Sequence, residues 1–141
     1  MAEYRKACSN SCMKKLFSKH WNSSKQPRKQ RKYLFNSPLN IKHRFLGAHL
    51  SKELINKYKI KTLPAKKDDE VIIKRGQFKG KKGRIEKINL RKTRIYIKDI
   101  QVMKRDGNKA YYPIHPSNVI ITELNTKDKE RIKAMERKVK K

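Results

Sequence analysis

The stretch Asp68–Ile88, DDEVIIKRGQFKGKKGRIEKI, decides how the rest of the chain is read. Val71 and Ile73 alternate with Ile72 and Lys74, Arg75-Gly76 interrupts, and Arg84-Ile85-Glu86-Lys87-Ile88 resumes the pattern. β-branched runs on either side of a glycine-bearing break predict two strands joined by a loop. Gly76, Gly80 and Gly83 fall close together, although the whole chain has only five glycines. Glycine tolerates positive φ and close approach of another backbone. Lys79, Lys81 and Lys82 lie among them, Phe78 is the one aromatic, and Lys74, Arg75 and Arg84 flank the loop. Amide groups, cations and a ring face in one tight loop suit a phosphodiester backbone with exposed bases. The same residues also fit a flexible hairpin with a solvated lysine tip, because a basic cluster is a footprint and not a proof.

Outward from this hairpin, length and charge set the limits. The 141 residues leave room for one domain plus extensions. Lys and Arg number 40 against 12 Asp and Glu, a net charge of +28, which disfavours a compact free state and favours a polyanionic partner. Residues 1–67 hold 18 basic and 2 acidic groups, whereas residues 68–124 hold 14 and 7. The middle segment is therefore the part best able to fold alone, and the flanks read as arms that order on a partner. Apolar residues make up only 35%, so one core is not expected to span the whole length. No run approaches the ~20 apolar residues needed to cross a membrane, and the start of the chain lacks the apolar core of a secretory signal. No amphipathic helix with a broad apolar face suggests a membrane-surface protein. Cys8 and Cys12 alone imply no disulfide framework, so a reducing compartment is the default.

Residues 1–36 read as a basic arm without apolar periodicity. Lys14, Lys15, Lys25, Arg28, Lys29, Arg31 and Lys32 carry its charge, with Trp21, Tyr33 and Phe35 interleaved. Rings placed so are expected to bury against splayed bases or a ribonucleoprotein groove. A nuclear-import-type basic cluster on a loose tail is the other reading, and the two roles are compatible. Cys8, Cys12 and His20 lack a fourth ligand at finger-like spacing, so no metal or other cofactor is expected. His20, His43, His49 and His115 show no ligand spacing.

Residues 37–67 predict two short helices and a linker. Ser37-Pro38 gives an N-cap and a first-turn proline, and Gly47 is placed for a left-handed C-cap, with Lys42 and Arg44 off the Ile41–Phe45 face. Ser51 caps a second helix with Leu50 and Ile55 as its hydrophobic staple. Tyr58 to Leu63 then looks extended, and Pro64 ends it. Residues 68–124 predict a small, partly open barrel of five strands. Arg94–Met103 reads as one alternating strand, Asp106-Gly107 as a hairpin turn, Lys109–Ile114 as the return, and Val119–Thr122 as the closing strand. Pro113 and Pro116 mark an edge and a bend. The expected core is Val71, Ile73, Ile85, Ile88, Ile95, Ile97, Ile100, Val102, Val119 and Ile121. In residues 125–141, Thr126 is placed to cap a terminal helix whose thin stripe, Ile132, Met135 and Val139, is expected to dock onto RNA or a neighbouring protein.

The pattern V-I-I-x-x-G-x-x-K-G-x-x-G-x-I over Val71–Ile85 resembles the KOW motif, with Gly80 at its fixed glycine. KOW modules are small SH3-like barrels of ribosomal proteins and transcription elongation factors. A longer series of matches in order separates the two: Phe35-Asn36-Ser37-Pro38, Leu50-Ser51-Lys52-Glu53-Leu54, Lys57-Tyr58, Lys67-Asp68-Asp69-Glu70-Val71, Arg75-Gly76, Lys79-Gly80, Ile114-His115-Pro116-Ser117 and Val119-Ile120-Ile121-Thr122. Over about residues 15 to 139 the chain is similar to the universal KOW-domain protein of the large ribosomal subunit, in its archaeal and eukaryotic branch. The resemblance implies a structural constituent that binds ribosomal RNA near the peptide exit, contacts neighbouring ribosomal proteins, takes part in subunit assembly and serves cytoplasmic translation. Exit-region factors are further expected partners, and nucleolar transit is expected in a eukaryote. Carried over by position, the RNA-contacting residues are the arm's basic cluster, Arg75-Gly76 and Lys79 to Lys82.

The chain also departs from that family. Its loop tip, Lys79-Gly80-Lys81-Lys82-Gly83, is more basic and one residue shorter than in animal members. Met13-Lys14-Lys15 resembles a family start, so translation is expected to begin at Met13, and intact mass of the purified protein decides the point. Elongation factors of the KOW class carry a folded α/β domain before the motif, for which residues 1–67 are too basic and too sparsely apolar. An enzyme is not expected, since no paired carboxylates, activated nucleophile or metal set has usable spacing. Nor is a small-molecule substrate or membrane insertion. A chromatin or membrane-surface protein fits the composition but does not explain an ordered barrel.

Overall fold

Period-two alternation of β-branched residues dominates the chain after residue 46, and sheet follows from it. A computed structural model describes residues 17–18 and 24–139, without the side chains of 138 and 139. Lys14, Lys15, Trp21, Cys8, Cys12 and His20 lie outside the described residues. The chain divides into two units between Lys42 and His43.

The first unit holds α1 (Pro27–Asn36) and the single turn α2 (Leu39–Lys42). Pro27 opens α1, where its missing N–H is no loss. The following Arg, Lys, Gln and Leu are good helix formers. The arm, expected without apolar periodicity, is helical from residue 27 through intrinsic propensity and without an apolar stripe. Ser37 ends α1, its N–H donating to Tyr33 O at 3.0 Å and its hydroxyl to Leu34 O at 2.9 Å.

In the second unit a 3-10 turn (His43–Leu46) leads into β1 (Gly47–Leu50), α3 (Lys52–Tyr58), β2 (Thr62–Pro64), β3 (Glu70–Ile73), β4 (Lys82–Asn89), β5 (Arg94–Ile97), β6 (Gln101–Met103) and β7 (Lys109–Tyr111). A second 3-10 turn (Pro116–Asn118), β8 (Val119–Glu123) and α4 (Lys129–Val139) complete it. Six strands form one mixed sheet in the order β2-β1-β8-β3-β4-β5, and β6 and β7 pair separately. Only β1 and β8 run parallel; the other neighbours are antiparallel. An Ile95–Ile114 bridge draws the end of the second sheet's return back onto β5. The result is the expected mainly β, small barrel-like fold with short helices and a C-terminal helix, with three strands more than the five expected: two from residues 37–67 and one from the division of Arg94–Met103.

Several expectations are corrected. Gly47 does not cap a helix. It opens β1, where Ala48 and Leu50 alternate inward in a stretch too short and too rich in small residues to show its period. The left-handed cap lies instead at Lys59 (φ 53°), ending α3, whose N-cap Ser51 accepts from Leu54 N–H as expected. Arg94–Met103 is two strands. Asp99 takes φ 69°, which breaks the alternation, so Ile100 stays buried while Val102 turns out, 42% exposed, and leaves the core. Ile88 is half-buried against the core, whereas the other eight expected core residues are buried. Ala48, Leu50, Ile60, Leu63, Ala65, Ile114 and Met135 join them.

At the C-terminal end, Thr126 does not cap α4. The Asn125 side chain accepts from Lys127 N–H and keeps the chain turning until Asp128, whose carboxylate accepts from Glu130 N–H at 2.9 Å. Ile132 and Met135 of the stripe on α4 dock onto this chain's own barrel, and the Val139 side chain lies outside the described residues. Met135 is buried in the barrel's core and Ile132 packs against it. Arg131, next to Ile132 on the same helix, forms a buried two-pronged ion pair with Asp69, at 2.6 and 2.7 Å. Asp69 also accepts from Lys66 N–H and Asn125 N–H, so one carboxylate ties the β2–β3 link, the end of β8 and α4 together.

Removing one partner of a buried pair strands the other, at about 3–5 kcal/mol. Asp69→Ala and Arg131→Ala are each expected to lower urea stability by about that much. The double variant Asp69→Leu/Arg131→Met is expected to recover part of the loss, but not all, because the N–H groups of Lys66 and Asn125 stay unpaired. Single variants within ~0.5 kcal/mol of the parent, the range of neutral surface changes, contradict this role for the pair.

Candidate nucleic-acid interface

β3 and β4 pair with Ile72 opposite Lys82 and Val71 opposite Gly83, which leaves residues 74–81 as the connecting loop. Its shape comes from backbone hydrogen bonds. Gly80 N–H donates to Ile73 O at 2.8 Å, Lys79 N–H to Gly76 O at 3.1 Å, and Lys81 N–H to Phe78 O at 3.2 Å. The base of the loop is pinned by Lys74 N–H donating to Asn118 O at 2.8 Å.

The three glycines serve two different needs. Gly76 and Gly80 adopt φ +104° and +87° with open space where a Cβ would stand, so the backbone conformation selects them. Gly83 has ordinary φ, but a Cβ there would meet Ile97 Cγ2 at 2.6 Å and Lys98 O at 3.0 Å. Close packing of β4 on β5 selects it.

Lys74, Arg75, Lys79, Lys81 and Lys82 are all exposed, and Val71 to Ile85 contains no carboxylate. The Lys81 ammonium lies 5.3 Å from the Phe78 ring centroid, a cation–π distance. Phe78 is half-buried and meets Tyr112 edge to face, with centroids 5.1 Å apart. Arg84 stands apart from this set, since its guanidinium donates to Glu70 at 2.7 Å. That hydrogen bond, and then the carboxylate's charge, raise its pKa further.

The other expected residues fall elsewhere. Lys25 precedes α1, and Arg28, Lys29, Arg31 and Lys32 are exposed along it. Tyr33 is half-buried and stacks on Phe17 with centroids 5.0 Å apart. Lys42 is buried, its ammonium donating to Phe35 O at 3.1 Å, so it is not presented to a ligand in this conformation. Arg44 is exposed on the first 3-10 turn. The loop residues therefore form one cluster in the second unit, and the arm residues belong to the first.

Sequence reading missed the far side of the loop. Arg75, Gly76, Gln77 and Phe78 share a cleft of about 370 Å³ with Ile73, Arg94, Tyr112, Pro113, Ile114, His115 and Asn118. The Ile95–Ile114 bridge brings residues 112–118 there, a long-range pairing that leaves no local periodicity. The prolines at 113 and 116 and the paired tyrosines are the signals of it in the sequence. His115 Nδ1 accepts from Ser117 N–H at 3.3 Å and lies 2.8 Å from the Ser117 hydroxyl. Burial, and then the nearby Arg94 cation, push its pKa below the ordinary value.

A small barrel-like β domain with a carboxylate-free basic loop between two of its strands defines the class of molecule, in keeping with the KOW-type resemblance. Residues 24–138 match the ribosomal protein family that comprises the eukaryotic L26 proteins and their archaeal counterparts. The chain belongs to that family, and it is accordingly a structural, non-enzymatic protein of the large ribosomal subunit.

Two outcomes follow. Gly80→Ala forces an L residue into left-handed backbone, a cost of roughly 1–2 kcal/mol, and its NMR shift changes are expected to stay within the loop. Gly83→Ala overpacks the strand pair, typically costing about 1–3 kcal/mol, and its changes are expected to spread to Ile97 and Lys98. Identical footprints contradict the distinction. His115 is expected to titrate below 6.5 by NMR. Because the fold favours its neutral form, its contribution to stability is complete above that value and declines as pH falls through the folded pKa. Arg94→Gln is expected to restore the titration only in part, since burial is the larger cause. Full restoration contradicts that order.

Proposed function

We propose that this chain binds large-subunit ribosomal RNA through two sets of cations, those of α1 with Lys25 and those of the loop between β3 and β4. The observation that carries this reading is the loop itself. Five exposed cations surround a backbone that two glycines let turn through positive φ and that its own hydrogen bonds hold, with no acid between Val71 and Ile85. Lysine and arginine contacts to phosphate displace condensed counterions, and release of those ions drives binding. Exposed Leu34 and Phe35 on α1, the latter 84% exposed, suit burial in the same event. Lys14, Lys15 and Trp21, which precede α1 in the sequence, and the exposed Arg44 are further candidate contacts. The reading extends to a place near the peptide exit, contacts with neighbouring ribosomal proteins and exit-region factors, a part in subunit assembly, work in cytoplasmic ribosomes, and nucleolar transit in a eukaryote; membership of a ribosomal protein family supports it.

Filter binding of the full chain to large-subunit RNA across a salt series tests the reading. The log–log slope is expected to be steep, close to about −0.9 for each phosphate neutralised on duplex. Deleting residues 1–32 is expected to flatten it by several such increments, and an unchanged slope contradicts the model. The chain is also expected to co-sediment with large subunits after a high-salt wash. Release by that wash, with recovery on RNA polymerase, would support an elongation-factor role instead.

A further inference from the structure

The cleft behind the loop holds features that phosphate binding at an exposed lysine tip does not need. Its walls are the loop segment Arg75–Phe78 and the segment Tyr112–His115 with Asn118. Both are fixed, the first by the Lys74–Asn118 hydrogen bond and the second by the Ile95–Ile114 bridge. No Asp or Glu lines it, and among the described residues neither Arg75 nor Arg94 makes an ion pair. At about 370 Å³ it lies in the range of small-ligand pockets, toward the lower end. Tyr112, 39% exposed, and Phe78 give it an aromatic wall. A neutral His115 whose Nδ1 accepts from Ser117 N–H carries its proton on Nε2, which makes that nitrogen a donor. Asn118 and Gln77 add amide groups able to donate and accept.

Rings beside uncommitted guanidinium groups and a few polar side chains are what an unstacked base requires. It stacks on an aromatic or on a guanidinium plane and is hydrogen-bonded along its edges. We propose that this cleft is a nucleotide pocket, taking one unpaired nucleotide of the bound RNA against Phe78 and Tyr112 with its acceptor atoms toward Arg75, Arg94 and His115. This rests on the reading of the domain as an RNA binder and adds to it a site for a single base. The loop lysines grip backbone without regard to sequence, while the pocket holds one nucleotide and so fixes the register of the domain on its RNA. Guanine offers the paired acceptors that arginine reads best, so its mononucleotide is the first probe.

The test is an amide NMR titration of the full chain with guanosine 5′-monophosphate, and in parallel with inorganic phosphate and with a tri-glutamate peptide. The expected result is saturating shifts centred on Phe78, Tyr112 and His115 with the nucleotide alone, weakened several-fold in both Arg94→Gln and Tyr112→Ala. Arg94→Gln leaves the ring pair in place, so the outcome does not depend on the tyrosine variant folding. Tyr112→Ala is also expected to weaken binding to large-subunit RNA by roughly tenfold, the scale of one lost base stack. Equal shifts with phosphate or with the peptide, or shifts scattered along the loop lysines, overturn the pocket. Salt-sensitive RNA binding unaffected by either variant also overturns the pocket while leaving the broader RNA reading intact. A chain that takes the nucleotide in this cleft but does not bind the RNA supports the pocket and removes the broader reading.

Discussion

Asp69 is the fixed point of the domain. Its carboxylate is fully buried and satisfied by the Arg131 guanidinium and by the N–H groups of Lys66 and Asn125. Its own carbonyl accepts from Ile85 N–H, so the same residue sets where β3 begins against β4. In a chain of net charge +28, a buried acid that gathers a cation and two backbone donors also draws the C-terminal helix onto the barrel against general repulsion. The helix then covers a core that β-strands alone would leave open, since Met135 completes it. Nothing in this network touches the loop. Its effect reaches the loop through register, because β3 and β4 carry residues 74–81 between them.

The loop is thus a rigid device on a charged body. Its glycines permit a conformation that other residues adopt at a cost, its backbone hydrogen bonds hold that conformation, and its cations are left exposed by a neighbourhood without acids. Arg84 shows what an acid nearby does, for Glu70 engages its guanidinium although the side chain stays exposed. The helix at residues 27–36 offers a second set of cations in another unit of the chain. Two basic surfaces on one chain suit a partner that is large, folded and polyanionic, and membership of a ribosomal protein family of the large subunit agrees with that.

How much of this is legible in the sequence depends on the range of the interaction concerned. The β3–β4 hairpin announces itself, because Val71, Ile73 and Ile85 alternate around a glycine-rich break and nothing distant overrides them. The Asp106-Gly107 turn is equally plain, and Gly107 adopts φ +76°. β1 reads as the end of a helix because Gly47-Ala48-His49-Leu50 has too few large residues to show its period, and its pairing with β2 and β8 is non-local. Val102 alternates correctly with Ile100 in the sequence, yet the left-handed Asp99 rotates the chain between Ile97 and the second sheet. The same holds at the site. Lys79, Lys81 and Lys82 can be named from composition and spacing, whereas Arg94, Tyr112 and His115 meet the loop through long-range pairings such as the Ile95–Ile114 bridge. Asp69 and Arg131, 62 residues apart, leave no local trace for that reason too. Local pattern gives the strands and the charge; the partners of each strand decide which side chains meet.

The central claim is that the loop between β3 and β4 and the helix at residues 27–36 are the surfaces that meet RNA. Ultraviolet crosslinking of purified large subunits, followed by mass spectrometry of this chain's RNA-bearing peptides, tests it most directly. Crosslinks concentrated in residues 25–35 and 74–82 are the predicted result. Crosslinks confined to the β6–β7 hairpin or to α4, with both basic surfaces unmarked, would contradict it.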